Sequence, residues 1–158
     1  MRPLADLMRP DKIEDFVGQE QILGEGKPLY NLIKNKSICN CIFYGPPGTG
    51  KTTLANIMAK YVDKKFYKLN ATTASVKDIQ DITNNMDNLL SYNGVVLYID
   101  ELQHFNKKQQ QALLEFIEDG RITLIASTTE NPYFVIHKAI ISRCNIFSFK
   151  PLNKDDIV

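Results

Sequence analysis

Gly45-Pro46-Pro47-Gly48-Thr49-Gly50-Lys51-Thr52 has the spacing of a loop that wraps an anion. Its glycines let the backbone curl so that successive N–H groups point inward. An apolar run, Cys41-Ile42-Phe43-Tyr44, precedes the loop, and Leu54-Ala55-Asn56-Ile57-Met58-Ala59-Lys60 follows it with helical spacing. Strand, loop and helix together aim the positive end of a helix dipole at the anion. In that context Pro47, Gly48, Thr49, Gly50, Lys51, Thr52 and Thr53 are candidates for holding a nucleotide. Lys51 would reach the β- and γ-phosphates, and the Thr52 hydroxyl would ligate Mg²⁺. The competing reading is a chance match in a Gly/Pro turn, and the strand–helix context weighs against it.

A second constellation is Val95-Val96-Leu97-Tyr98-Ile99-Asp100-Glu101, an apolar strand that ends in two carboxylates. In open α/β sheets the carboxyl edge is where ligands bind. Asp100 would hold the metal through water, and Glu101 would polarise an attacking water molecule. The plain alternative is an acidic helix start at a strand end. A phosphate loop by itself would serve a kinase or a GTPase, whereas the added glutamate favours hydrolysis by water.

Three further polar residues stand at element ends. Thr129, after Ile125-Ala126-Ser127-Thr128, would emerge beside Asp100 if the fourth strand neighbours the third, and could help position the water; otherwise it is an ordinary capping threonine. Asn70, closing Lys65-Phe66-Tyr67-Lys68-Leu69-Asn70, could hydrogen-bond Glu101 and hold it away from the nucleotide, or simply make a turn. Arg143 has no partner in the local sequence. It reads either as a surface salt bridge or as an arginine finger reaching a neighbouring subunit's γ-phosphate.

The elements that must position these groups follow from pattern. Strands are expected at 41–44, 65–70, 95–99, 122–127 and 146–149. Helices are expected at about 27–34, from the loop to about Val62, from Val76 along Ile79, Ile82, Met86, Leu89 and Leu90 to a stop at Asn93-Gly94, and at about 138–142. Another helix is capped by Asn106 with Gln109 as its capping-box partner, carries Ala112, Leu113, Phe116 and Ile117 on one face, and ends at Gly120. Asn131-Pro132 reads as a break. Alternating strands and helices argue for an α/β fold, a three-layer αβα sandwich around a five-stranded parallel sheet.

At 158 residues, 44 % hydrophobic and 23 % charged, this is the composition of one globular domain. A net charge of +1 gives no global field for nucleic acid, so DNA contact would come from local basic groups or an assembly. Cys39, Cys41 and Cys144 lack zinc-type spacing and read as reduced, mostly buried thiols. No run approaches membrane-spanning length and the start lacks a signal-peptide pattern, so a cytoplasmic protein without membrane contact is expected.

The order of phosphate loop, Asp-Glu strand, strand-end Thr129 and Ser142-Arg143-Cys144 resembles the AAA+ ATPases, close to their clamp-loader branch. More narrowly, the chain resembles the replication-associated recombination protein A family, the bacterial relatives of the Werner-helicase-interacting ATPase. The text that carries this includes Met8-Arg9-Pro10, Phe16-Val17-Gly18-Gln19-Glu20, Phe105-Asn106-Lys107, Gln109-Gln110, and Thr128-Thr129-Glu130-Asn131-Pro132. The resemblance implies a P-loop NTPase: an ATP- and Mg²⁺-dependent, DNA-stimulated ATPase of replication-fork maintenance, DNA repair and recombination, acting near the nucleoid. Its implied partners are single-stranded, gapped or forked DNA, single-strand-binding protein and further copies of itself. By residue it implies adenine contacts from Arg9, Pro10, Val17 and Gly18. It makes Lys51 and Thr52 Walker A, Asp100 and Glu101 Walker B, Thr129 sensor 1 and Arg143 the finger.

This reading divides the chain into an adenine-contacting segment (1–26), a nucleotide-binding αβα subdomain (27–150) and the start of a linker (151–158). The resemblance implies a helical lid and an oligomerisation region beyond it, so this stretch is expected to bind nucleotide weakly and hydrolyse it poorly. Two other readings stand: a clamp-loader subunit, and a non-hydrolysing nucleotide-dependent assembly module, which Glu101 argues against. Against the family pattern, Gln103-His104 stands for His-Arg, Glu115 for Pro and Ala126-Ser127 for Gly-Ala, departures expected to leave the phosphate chemistry untouched.

Overall fold

Continuous β-branched and aromatic runs, with side chains alternating between two covered faces, make strands that only a sandwiched parallel sheet satisfies. The structure is a computed structural model that describes residues 19, 23–24, 26–35, 38–85, 94–120 and 122–151. Among these, Cys41–Tyr44 (β1), Lys65–Asn70 (β2), Val95–Asp100 (β3), Ile122–Thr128 (β4) and Asn145–Ser148 (β5) form one five-stranded sheet. Every pairing is parallel and the spatial order is β2-β3-β4-β1-β5. The expected fold class therefore holds.

Helices cover both faces. Pro28–Lys34 (α1) and Lys51–Tyr61 (α2) lie on one side, where Leu29, Leu54 and Met58 meet Phe43, Val96, Tyr98 and Ile125. On the other side are Val76–Asn84 (α3), a 3-10 turn at Leu102–His104, Lys107–Asp119 (α4) and Lys138–Ile141 (α6). There Ile79, Leu102, Leu113 and Ile140 pack on Ile42, Leu97, Ile99 and Leu124. The odd and even residues of β3 separate cleanly between the two layers, as a period of two requires.

Local signals decide the element ends. The Asn106–Gln109 capping box forms as expected, each side chain bonding the other's backbone N–H at 2.8 Å. Gly120 ends α4 in the left-handed region, with φ 81°. Asn131-Pro132 does not merely break the chain. Asn131 accepts from Tyr133 N, and Pro132 opens a short helix, Pro132–Val135 (α5), at the position where its missing N–H costs nothing. β5 lies one residue earlier than expected, because Cys41 pairs with Asn145 and the ladder is spent by Ser148. The continuation of α3 through Met86, Leu89 and Leu90 to Asn93 lies outside the described residues.

The three cysteines are free thiols, as expected, though only Cys41 is buried and the other two are half-buried. No helix among the described residues is long and apolar enough to cross a membrane.

β1 is held from both sides at its end: Gly45 N donates to Thr128 O at 3.1 Å, and Phe149 N donates to Tyr44 O at 2.6 Å. Phe149 also packs its ring 4.9 Å from that of Phe43. A β-carbon on Gly45 would lie 2.5 Å from the Phe149 carbonyl oxygen, a backbone atom that cannot swing away. Gly45→Ala is therefore expected to destabilise the chain by about 1–3 kcal/mol, the usual range for forced overpacking. Urea unfolding measures this, and an unchanged midpoint would contradict the close approach.

Candidate functional site

The loop 45–50 leaves the carboxyl end of β1 and enters α2 through Gly50, whose φ of 92° is a left-handed conformation that favours glycine. Thr49, buried, donates its hydroxyl to Pro46 O at 2.9 Å and closes the curl. Lys51, at the first turn of α2, is 7 % exposed, and its ammonium donates to Gly45 O across the loop. Burial lowers the Lys51 pKa, while the nearby charges of Glu101 and then Asp100 pull it upward.

Parallel pairing supplies the opposite wall. β3 and β4 run in register with Ile99 beside Ala126, so Asp100 ends next to Ser127, and Thr129 follows just past the strand. Pro47, Gly48, Thr49, Gly50, Lys51, Thr52, Thr53, Tyr98, Asp100 and Glu101 line one cavity of about 270 Å³ with Lys68 of β2. Every loop residue singled out in the sequence from Pro47 to Thr53 is in that lining, as are both carboxylates. The volume is on the scale of a phosphate tail rather than of the roughly 300–1,000 Å³ sites that enclose whole ligands. A wider concavity of about 540 Å³ opens beside Phe105, Tyr133, Phe134 and His137, but no carboxylate lines it, so it offers nothing to a metal–phosphate pair.

Glu101 adopts φ 57° and ψ 51°, a left-handed conformation that costs a non-glycine residue about 1–2 kcal/mol. Backbone strain of this kind gathers at functional sites. The conformation turns the carboxylate away from the strand axis, where Gln103 Nε2 donates to Oε2 and Thr129 Oγ1 approaches the same oxygen at 3.4 Å. Gln103 Nε2 also lies 3.5 Å from Thr129 Oγ1, and among the described residues its buried Oε1 has no partner.

Several expectations need correction. Asn70 does not hold Glu101: its Oδ1 accepts from Thr72 N at 2.9 Å and Thr72 Oγ1 at 2.6 Å, the side-chain turn that was the plain alternative. Gln103 makes the bond foreseen for Asn70. Thr129 reaches Glu101, while the place beside Asp100 belongs to Ser127, whose buried hydroxyl donates to Asp100 Oδ1 and accepts from Glu101 N at 3.2 Å. Gln103 and Ser127 are two of the departures expected to leave the phosphate chemistry alone, yet they touch the two carboxylates. Arg143 does have local partners: it donates to Ala139 O at 2.8 Å and pairs with Glu118 at 2.7 Å, both side chains well exposed. Arg9, Pro10, Val17 and Gly18, the expected adenine contacts, lie outside the described residues.

Five contributors escaped sequence reading: Gln103, Ser127, Tyr98 and Lys68 in or beside the cavity, and Gln19 behind it. Lys68 pairs in register with Tyr98 across β2 and β3, a placement that only the strand order reveals. Thr52 Oγ1 donates to Tyr98 Oη at 3.2 Å, and burial pushes the Tyr98 phenol up to about 12, with the neighbouring hydroxyls of Ser127 and Thr52 acting the other way. Gln19, 5 % exposed, donates to Thr49 O at 3.2 Å and Lys150 O at 2.6 Å and accepts from Lys150 N at 2.8 Å. It thus ties the loop to the far end of β5.

A phosphate loop beside a strand-end carboxylate pair, on a parallel sheet ordered 2-3-4-1-5, defines a P-loop nucleotide-binding protein. Residues 41–152 match the family described as "ATPase family associated with various cellular activities (AAA)", and the chain belongs to that family. It is 42 % identical over 98 % of its length to replication-associated recombination protein A of Haemophilus influenzae, spanning 35 % of that protein. It is also 40 % identical over 98 % of its length to the ATPase WRNIP1 of Dictyostelium discoideum, of which it spans 18 %. Among solved structures, a substituted form of Thermotoga maritima RuvB superposes with a TM-score of 0.73 at 26 % identity, over 96 % of this chain and 52 % of that one. The expected likeness thus extends over nearly the whole chain, which spans about a third of the length of the first of these relatives.

Gln19→Ala would leave the buried Thr49 carbonyl of the loop and the part-buried Lys150 carbonyl without their donor. The expected loss is about 1–3 kcal/mol of stability, the cost of a stranded buried polar group. Urea unfolding of the chain measures it, and a variant as stable as the parent would contradict the clamp.

Proposed function

We propose that the full-length protein is an ATPase that works on DNA at replication-fork and recombination intermediates. The observation that carries this reading is the convergence of Lys51, Asp100 and Glu101 on one cavity walled by the phosphate loop. Names of the relatives support the DNA setting: the H. influenzae protein is a replication-associated recombination protein, and RuvB is described as a Holliday junction branch migration motor.

The cavity's donor set suits Mg²⁺. Thr52 offers a hydroxyl and Asp100 a carboxylate, hard oxygens of the kind that bind this ion together with substrate phosphates. Among the described residues no cluster of three or more His, Cys, Asp or Glu could hold a metal alone, which fits an ion shared with a nucleotide. When bound, the ion would supply positive charge against the negative charge that develops on the phosphates. Lys51 and the loop N–H groups hold the phosphate tail. Glu101 orients and polarises water, with Gln103 and Thr129 fixing its carboxylate. Arg9, Pro10, Val17 and Gly18 contact adenine.

Arg143 acts in trans on a neighbouring copy's γ-phosphate. Its bond to Glu118 is an exposed pair of the kind worth about 0–1 kcal/mol, so exchanging that partner costs little. The full-length protein works as a homo-oligomer in the cytoplasm, near the nucleoid and in contact with single-strand-binding protein.

Glu101→Gln in the full-length protein should keep its ATP affinity and lose about 10²–10⁴ in turnover, the span of a general base's contribution. Unchanged turnover would contradict the assignment. Gln103→Ala should lower kcat about tenfold or more with nucleotide affinity unchanged, since a hydrogen bond to a charged group is worth about 1.5–3 kcal/mol. Equal or higher kcat would show that Gln103 does not orient the base. Gapped DNA should raise the ATPase rate, and rising salt should erase that stimulation through counterion release. A rate indifferent to DNA would contradict the DNA reading. Mixing Arg143→Ala subunits with Lys51→Ala subunits should restore activity, whereas an inactive mixture would leave only the salt bridge.

A further inference from the structure

Burial of apolar surface drives folding, so neighbouring large aromatics left in water call for a reason. Among the described residues, Tyr133 and Phe134 are the large hydrophobic side chains that stay exposed, at 66 % and 85 %. They adjoin each other on α5, and their backbone is held firmly. Asn131 Oδ1 accepts from Tyr133 N at 3.0 Å, Asn131 O accepts from Phe134 N at 3.0 Å, and Pro132 O accepts from Ile136 N at 2.9 Å. Beneath the helix Pro132 is buried, and Gln110 bonds Val135 O at 3.1 Å and His137 N at 2.7 Å. Two aromatic rings are thus mounted on a fixed base and open to solvent.

The concavity of about 540 Å³ beside them has one sign of charge. Lys107, His137 and Lys138 line it, and no carboxylate does. Neither lysine has an ion-pair partner among the described residues. Lys107 is the first residue of α4, so the positive end of that helix's dipole adds to the field. His137 Nδ1 accepts from Ala139 N at 3.0 Å, which leaves the ring proton on Nε2 as a donor.

Two cations, a donor and two open π-faces in one place fit a partner that carries phosphates and flat bases together. Bases in a duplex are already stacked on one another, so a protein ring finds a free face on unpaired bases. A protein partner would have to set carboxylates against both lysines while covering both rings. A nucleic-acid strand brings both features in every nucleotide. We propose that Tyr133 and Phe134 form a stacking platform for single-stranded DNA, with Lys107 and Lys138 taking its phosphates. The proposal rests on the reading that the full-length protein works on DNA, and gives that reading a place on this chain. Because α5 lies between Thr129 and Arg143 in the sequence, the strand sits against the segment that links them.

The test is fluorescence anisotropy of a labelled oligo-thymidine strand titrated with the full-length protein. Tyr133→Ala and Phe134→Ala should each weaken binding about 5–150-fold, the range of one lost base–aromatic stack. Their slope of log affinity against log salt should stay that of the parent, because no phosphate contact is removed. Lys107→Ala and Lys138→Ala should instead lower the slope by about 0.7 each, the single-strand value per phosphate contact. Tyr133→Phe and Phe134→Tyr keep a ring and should bind as the parent does. Thermal midpoint, oligomeric state in sedimentation and ATPase rate without DNA should match the parent in every variant.

Affinity within twofold of the parent in both Tyr133→Ala and Phe134→Ala would overturn the platform. An affinity loss that comes only with dissociation of the oligomer would also overturn it, and would make this face an interface between copies. Tighter binding of the equivalent RNA strand would overturn the assignment to DNA. If the parent binds the strand and the alanine variants bind it equally, the platform alone fails. If the parent binds neither this strand nor gapped DNA, the DNA reading fails with it.

Discussion

The site depends on β1 being locked between β4 and β5 in parallel register. Tyr44 pairs with Thr128 on one side and with Ser148 on the other, so the chain reaches Gly45 with its direction already set. The Gly45 N–H bonds to Thr128 O, the backbone of Phe149 fills the space where a side chain would stand, and the loop must rise from the sheet edge. β4 carries that constraint onward to β3. Because side chains on a strand alternate with a period of two, a slip of one residue between β3 and β4 would turn Asp100 away from Ser127 and send the Thr129 hydroxyl away from Glu101. One hydrogen-bond register therefore governs the distance from phosphate cradle to carboxylate wall.

Charge is arranged on that frame between a buried lysine and two half-buried carboxylates. Lys51 is a buried cation whose desolvation is offset in part by Glu101 and Asp100, so cradle and wall attract each other across the cavity. The carboxylates are in turn held by neutral donors rather than by cations: Ser127 on Asp100, Gln103 and Thr129 on Glu101. Neutral donors fix direction without cancelling charge, which leaves both groups free to act on a metal or on water. The left-handed backbone at Glu101 is the strain that accompanies this placement.

The loop, the carboxylate pair and every strand of the sheet were legible in the sequence because each is a contiguous pattern. A glycine-rich spacing and a β-branched run carry their meaning in neighbouring letters. Gln103, Ser127, Tyr98 and Gln19 were not legible, because their partners lie on other elements and only the strand order brings them together. Asn70 was misassigned for the opposite reason: a short polar side chain at a strand end is satisfied by its own turn, here by the backbone and hydroxyl of Thr72. The strings that suggested a specific family prove to be structural in part. Asn106 and Gln109 cap α4, Asn131 caps α5, and buried Gln110 bonds Phe105 O, Val135 O and His137 N. Those residues hold the segment between Thr129 and Arg143, and so bear on the site from behind it.

The most direct measurement of the central claim, that this register builds one metal–phosphate site, is a crystal structure of the protein with Mg²⁺ and a non-hydrolysable ATP analogue. The account predicts phosphate density along Gly48–Thr52 with Lys51 on it, and a single ion reached by Thr52 and, directly or through water, by Asp100. Phosphates bound elsewhere, or an ion held by side chains other than these two, would contradict it.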